Sequence, residues 1–216
     1  ELDTGLLTFQ VVQEVLPENP RIGVLSGPSF AQELAKQLPC AVCLASENEA
    51  WLHGLVQALN TNVMRLYANS DVIGVSVGGA VKNIMAIATG LSDGLNYGLN
   101  ARAALVTRGL AEITRLAVAM GAHTKTMMGL AGMGDLILTC TGALSRNRKV
   151  GLGLAEGKTL HQVLKEIGHV AEGVHNAAAK YQIDMPITDM LYQLVRNELA
   201  ASDVMERLMQ REPKSE

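Results

Sequence analysis

Apolar residues change their period about a third of the way along this chain. Short apolar runs of strand length occur at Ile22-Gly23-Val24-Leu25, at Cys40-Ala41-Val42-Cys43-Leu44-Ala45 and from Val63 to Tyr67. Between them lie segments with helical spacing: Leu6 to Val15, which stops at Pro17, a stretch from Ser29, and Asn48 to Leu59. This alternation predicts βαβ units in a mostly parallel sheet. Ser29 with Gln32 three residues on has the pattern of a capping box, which places a helix start at Ser29. In the third helix Trp51, Leu55 and Leu59 are expected on one face.

From Ser70 onward the strand signal ends. Asp71 to Gly90 is apolar and helical. Asn100 to Met120 carries Val106, Leu110, Ile113, Ala117 and Met120 at helical spacing, closed by Gly121. A glycine-rich turn follows at Gly129 to Gly134. Ser145 is a good N-cap for a helix through Ala155, and Thr159-x-x-Gln162 opens another that Gly168 ends. Thr188 to Asn197 and Asp203 to Gln210 read as two more. The chain therefore divides into part of an α/β domain, residues 1–68, and an all-helical domain, residues 69–216. No G-x-G-x-x-G joins strand to helix in the first part, three strands are few for an open parallel sheet, and Glu1 is no initiator. The expectation is that earlier strands precede Glu1.

Composition narrows the function. With 48% apolar residues in 216, the chain buries a sizeable core. Its net charge of −3, scattered Lys and Arg, and 3% aromatics leave neither a basic stripe nor a stacking platform, which argues against nucleic acid. Cys40 and Cys43 form a C-x-x-C, but odd spacing on a strand sends the two thiols to opposite faces. Both are read as structural. Three cysteines without a signal-peptide pattern fit a reducing cytoplasm. His53, His123, His161, His169 and His175 have no metal-ligand spacing, so no metal site is expected. Val72 to Leu91 has the length of a membrane span, but Lys82 and Asn83 fall at its centre, where a lysine costs about 3 kcal/mol. The stretch reads as a buried core helix.

Three places could carry chemistry. Gly74, Gly78, Lys82, Ala86 and Gly90 repeat at four-residue spacing on one helix face. Glycine costs about 1 kcal/mol in a helix, so something must approach this face closely. Tight packing explains the glycines but not a lysine among them, because a buried lysine needs a partner. Such a lysine can serve as a proton donor or acceptor. Ser145-Arg146-Asn147-Arg148-Lys149 places three cations in a helix's first turn, where the dipole disfavours them. Either an anion binds there or the residues are simply solvated. Asp135, which ends Gly132-Met133-Gly134-Asp135, is either a turn cap or a carboxylate that pairs with a lysine or holds a hydroxyl. Ser26-Gly27-Pro28-Ser29 leaves a strand end, where α/β sheets bind ligands.

Taken in order, these motifs resemble the bacterial-type NAD(P)-dependent sn-glycerol-3-phosphate dehydrogenases. The matching stretches are Ser26 to Ala31, Gly78-Gly79-Ala80-Val81-Lys82-Asn83, Ala101 to Glu112, Gly129 to Asp135, Leu138 to Thr141, Ser145 to Arg148, Val170-Ala171-Glu172-Gly173 and Met185 to Thr188. The resemblance implies a Rossmann-like dinucleotide-binding domain followed by an all-α substrate domain. It also implies NAD or NADP as cofactor, glycerol 3-phosphate and dihydroxyacetone phosphate as substrates, a supply of glycerol 3-phosphate for phospholipid synthesis, and a homodimer. By the same resemblance Lys82 is the proton donor and acceptor. Gly27, Ser29, Asp135, Ser145, Arg146 and Asn147 meet the substrate, while Ala31, Arg146, Val170 and Glu172 meet the cofactor. The family's glycine-rich fingerprint and a second lysine ahead of Glu1 are not in these residues, so this chain alone is expected to be inactive. Two other readings stand beside this one. A sister hydroxy-acid or ketopantoate-type reductase shares the two-domain plan but would not need the Ser145-Arg146-Asn147 cluster. A non-catalytic helical oligomerisation module would need no cofactor half at all.

Overall fold

A computed structural model describes residues 1, 4–18, 21–167 and 178–209. Helix α1 (Thr8–Val15) leads into β1 (Val24–Ser26), α2 (Ala31–Ala35), β2 (Cys40–Ala45), α3 (Glu49–Leu59) and β3 (Met64–Asn69). Then come α4 (Val72–Gly94), α5 (Gly98–Ala119), α6 (Thr124–Met127), a π-helical turn (Leu130–Gly134), α7 (Asp135–Thr141) and α8 (Arg146–Ala155). Helices α9 (Leu160–Ile167), α10 (Pro186–Val195) and α11 (Ala201–Met209) complete the described chain.

The sheet has the order β1-β2-β3 and is mixed rather than mostly parallel. β2 and β3 run parallel, Cys40 opposite Met64 and Ala45 opposite Asn69. β1 runs antiparallel to β2, Val24 opposite Ala45 and Ser26 opposite Cys43. The connections account for the difference. α3 has eleven residues and rises about 16 Å, enough to return the chain to the start of a parallel neighbour. α2 has five and rises about 8 Å, which is too short. The chain instead folds back at Gly27, whose φ of +143° and approach to the Val42 backbone exclude a side chain (a Cβ would lie 3.0 Å from Cα of Val42).

Two local expectations also change. Ser29 does not cap α2. Its hydroxyl donates to the Gly27 carbonyl at 3.0 Å and closes the turn, leaving Phe30 as the N-cap residue. On α3 the inward face is Leu52, with Leu55 and Val56, against Val42, Leu44 and Leu66, while Leu59 is exposed. Asn48 caps α3 by accepting from the Trp51 amide at 3.0 Å.

The main core is built around α4. Val77, Val81, Ile84, Met85, Ile87 and Leu91 are buried against α5, α7, α8 and α10. By length and composition α4 could cross a bilayer, yet most of it lies inside the protein. Its small-residue face is where backbones touch. A Cβ on Gly78 would overlap the Ala131 carbonyl of the π turn, and one on Gly90 would overlap the Arg148 carbonyl of α8. Asp71 fixes the start of α4. One carboxylate oxygen accepts from the Gly74 amide at 2.7 Å, the other from the His123 amide at 2.8 Å.

Glu112 on α5 is 2% exposed and accepts from the amides of Ile187 (2.9 Å) and Thr188 (3.5 Å), so it caps α10 from beneath. Burial pushes its carboxyl from 4.5 up to about 7, against the pull of those amides and of Arg115. The fold thus prefers the neutral acid, and the stability it contributes is complete below 4.5 and lost as pH rises through about 7. Glu112→Gln should abolish this component. Between about pH 5 and about pH 8 wild type should lose on the order of 3 kcal/mol that the variant keeps, read by urea unfolding at both pH values. Equal pH slopes in the two proteins would contradict the assignment.

Candidate active site

Gly78 does more than admit the π turn. By seating residues 130–134 on α4 it delivers the next residue, Asp135, to Lys82, one helical turn further along α4. The Lys82 ammonium donates to Oδ2 of Asp135. The side chains are 20% and 4% exposed, so this is a largely buried ion pair with the lysine at its solvent edge. Asp135 opens α7, where the helix dipole favours a negative charge. Thr139, one turn later, donates to the Asp135 carbonyl at 2.6 Å and lies 3.3 Å from Oδ1. The Ser26 hydroxyl reaches Oδ2 from the end of β1 at 3.5 Å.

The pair lies on the wall of a cleft of about 390 Å³. Gly27, Ser29 and Ala31 line it from the β1–α2 connection, and Ser145, Arg146 and Asn147 from the start of α8. With Lys82 and Asp135, the described residues to which the resemblance gives a substrate or cofactor role all line this one cleft. Val170 and Glu172 lie outside the described residues. Sequence reasoning gave no role to Phe30, Asn83 or Thr139, which also line the cleft. Asn83 adjoins Lys82, and Thr139 stands at i+4 from Asp135 on the same helix face; those neighbourhoods were the available signals.

At the start of α8, Ser145 is 3% exposed, and its hydroxyl accepts from the Arg148 amide at 3.2 Å. Asn147 donates to the Asn83 side-chain oxygen at 2.9 Å, tying α8 to α4 beside Lys82. Arg146 is exposed on the cleft and has no hydrogen bond or ion pair among the described residues. The three cations of this turn do not act together. Arg148 is turned to Asp93 at the end of α4, and Lys149 is exposed off the cleft wall. One guanidinium, one helix N-terminus and one lysine–aspartate pair therefore share the cleft. That combination suits a small molecule with an anionic group at one end and an oxygen that gains or loses a proton at the other. Cys140, next to Thr139, is fully buried, and burial pushes its thiol up to about 12, so it is no nucleophile.

Comparison with known proteins gives consistent matches. The profile of the NAD-dependent glycerol-3-phosphate dehydrogenase C-terminus matches residues 71–206, and that of the N-terminus matches residues 1–52. The chain is 76% identical to a glycerol-3-phosphate dehydrogenase [NAD(P)+] of Neisseria meningitidis serogroup C, over all of this chain and 68% of that protein. It is 57% identical to one of Herminiimonas arsenicoxydans, of which it spans 67%. Among solved structures, glycerol-3-phosphate dehydrogenase from Coxiella burnetii superposes with a TM-score of 0.92 at 44% identity, covering 97% of this chain and 66% of that one. The 216 residues thus correspond to about two thirds of these relatives.

The ion pair makes a prediction of its own. Lys82→Met leaves Asp135 charged and buried without its cation, and should cost about 2–3 kcal/mol of unfolding free energy. Adding Asp135→Asn removes that stranded charge and should restore at least about 1 kcal/mol. Denaturant unfolding of both single variants and the double variant reads the coupling, and strictly additive effects would show that the two side chains do not interact.

Proposed function

Since the chain belongs to the NAD-dependent glycerol-3-phosphate dehydrogenase family, we propose that the protein interconverts sn-glycerol 3-phosphate and dihydroxyacetone phosphate with NAD(P)(H). The observation that carries this reading is the Lys82–Asp135 pair in one cleft with Arg146, which has no partner among the described residues. Family membership implies NAD or NADP as cofactor. The residues present fit a nucleotide phosphate, since Arg146 is exposed at the cleft with its guanidinium uncommitted among the described residues, and Ala31 lines the same cleft. Arg146 and Ala31 would hold it from this chain, together with Val170 and Glu172, which lie outside the described residues.

When bound, the reduced cofactor supplies hydride to C2 of dihydroxyacetone phosphate. Negative charge then grows on the carbonyl oxygen, and the Lys82 ammonium stabilises it and gives the proton from Nζ. Asp135 orients Lys82 through their ion pair and is itself fixed by Thr139. Ser145, Arg146 and Asn147 hold the substrate phosphate by charge-assisted hydrogen bonds at the helix N-terminus. Gly27 and Ser29 close the opposite side, where the missing Cβ of Gly27 lets the β1–α2 connection stay against β2. In the reverse direction neutral Lys82 takes the proton of the C2 hydroxyl. A sister reductase acting on a substrate without phosphate would have no use for the Ser145-Arg146-Asn147 cluster.

The reading extends to the whole protein. The product would supply glycerol 3-phosphate for phospholipid synthesis. The cytoplasm is supported by three free cysteines, Cys40, Cys43 and Cys140. A homodimer is proposed from family membership alone. The 216 residues contain no G-x-G-x-x-G, the usual pyrophosphate site, and are proposed to be inactive by themselves.

Lys82→Met in the full-length protein should lower kcat by at least about 10³, because proton transfer and oxyanion stabilisation are lost together. The Asp135 pairing means that its melting temperature falls too, so activity is counted per folded molecule. A folded variant that keeps a tenth of wild-type kcat would sink the assignment.

Arg146→Ala should raise KM for dihydroxyacetone phosphate by at least about tenfold, with part of the loss in cofactor binding. Steady-state kinetics with each ligand varied in turn reads both. KM values within about twofold of wild type for both ligands would remove Arg146 from phosphate recognition.

A further inference from the structure

Outside the cleft, Asp93 in the last turn of α4 joins three helices. Its side chain is 8% exposed. Oδ2 accepts from Arg148 of α8, Nε at 2.9 Å and Nη2 at 2.6 Å, and Oδ1 accepts from Nε of Arg102 of α5 at 2.8 Å. For α4 alone this acid is misplaced, because the C-terminal end of a helix disfavours negative charge. Arg148 is equally misplaced in the first turn of α8. Each residue opposes its own helix and is matched by the other. The pairing therefore serves the relation between the two helices rather than either helix alone.

A clamp between α4 and α8 already exists without it. Gly90 meets the Arg148 carbonyl, and Gly151 meets the Ile87 carbonyl. What the Asp93 fork adds is rotation. Residues two apart on a helix point about 200° away from each other. Arg148 held toward Asp93 therefore leaves Arg146 on the opposite side, toward the cleft, with Asn147 between them bonded to Asn83. The fork also neutralises Arg148, so that Arg146 is the cation of this turn that meets an anion.

We propose that Asp93 is a positioning residue for anion recognition: by holding Arg148 it sets the rotation of the first turn of α8 and aims Arg146 and Asn147 at the ligand phosphate. The assignment of that phosphate to dihydroxyacetone phosphate rests on the function proposed above. The rotational role itself needs only that the cleft binds phosphate.

The test is made in the full-length protein with Asp93→Asn, which keeps the shape and removes the charge. KM for dihydroxyacetone phosphate should rise about tenfold while kcat stays within about threefold, since positioning of the anion is weakened and the proton-transfer pair is untouched. Inorganic phosphate, titrated by calorimetry without turnover, should lose affinity in a similar ratio. Arg148→Met should reproduce both losses while Arg102 still pairs Asp93, and the double variant should be no worse than either single one. A lowered melting temperature with KM and phosphate affinity within about twofold of wild type would show a structural clamp only and overturn the proposal. Should Asp93→Asn not fold, Arg148→Lys, which loses the fork and keeps the charge, carries the same comparison. Wild type that binds phosphate but does not turn over dihydroxyacetone phosphate would refute the functional reading and leave the Asp93 role to be decided by the phosphate arm. Wild type that binds no phosphate at tens of millimolar would refute both.

Discussion

The closeness with which other backbones can approach α4 governs the rest of the structure. Side chains normally keep helices 8–10 Å apart. On α4 the Cβ is missing at Gly78 and Gly90, and in both places a carbonyl oxygen from a distant segment occupies the vacated space. Those two contacts seat the π turn and α8. The first places Asp135 on Lys82, and the second brings Ser145, Arg146 and Asn147 to the same side of the helix. The cleft is thus a consequence of backbone contact, and its chemistry is assembled from segments more than fifty residues apart in the chain.

Electrostatics then refines what packing has placed. Asp135 and Lys82 satisfy one another at the cleft wall, while Asp93 gathers Arg102 and Arg148 behind it. In the proposed reaction the first pair offers a proton at the solvent edge, and the second keeps Arg148 from competing with Arg146. Glu112 differs from both: it is buried among amide donors, forms no ion pair among the described residues, and is pushed toward its neutral form.

Much of this is legible in the sequence because it follows from period and propensity. The end of strand signals at Ser70, the N-cap at Ser145 and the glycine stripe around Lys82 are local patterns with local causes. A buried lysine demands a partner, and Asp135 was one of the few acids at a turn, so their pairing was within reach. The direction of β1 was not, because it depends on whether α2 is long enough to return the chain, and propensity does not fix a helix end to within a turn. The direction of Arg148 was equally hidden. Its partner Asp93 lies 55 residues away, and nothing in the run Ser145 to Lys149 distinguishes Arg148 from Arg146. Ser29 shows the same limit at short range, since a serine before a helix can cap it or close the preceding turn, and the fold-back at Gly27 decides which.

The glycines of α4 have a consequence for the order in which the molecule assembles. Gly74, Gly78, Gly79 and Gly90 each weaken the helix by about 1 kcal/mol relative to alanine, so the isolated segment has little tendency to hold its shape. α5 packs on it from the next stretch of chain, but the close backbone contacts at Gly78 and Gly90 come from the π turn and α8, which are synthesised some fifty residues later. Contacts between segments so far apart in the chain form late, because loop closure must precede them. α4 therefore consolidates together with the segments that dock on it, and the lysine at its middle acquires its carboxylate partner only at that stage.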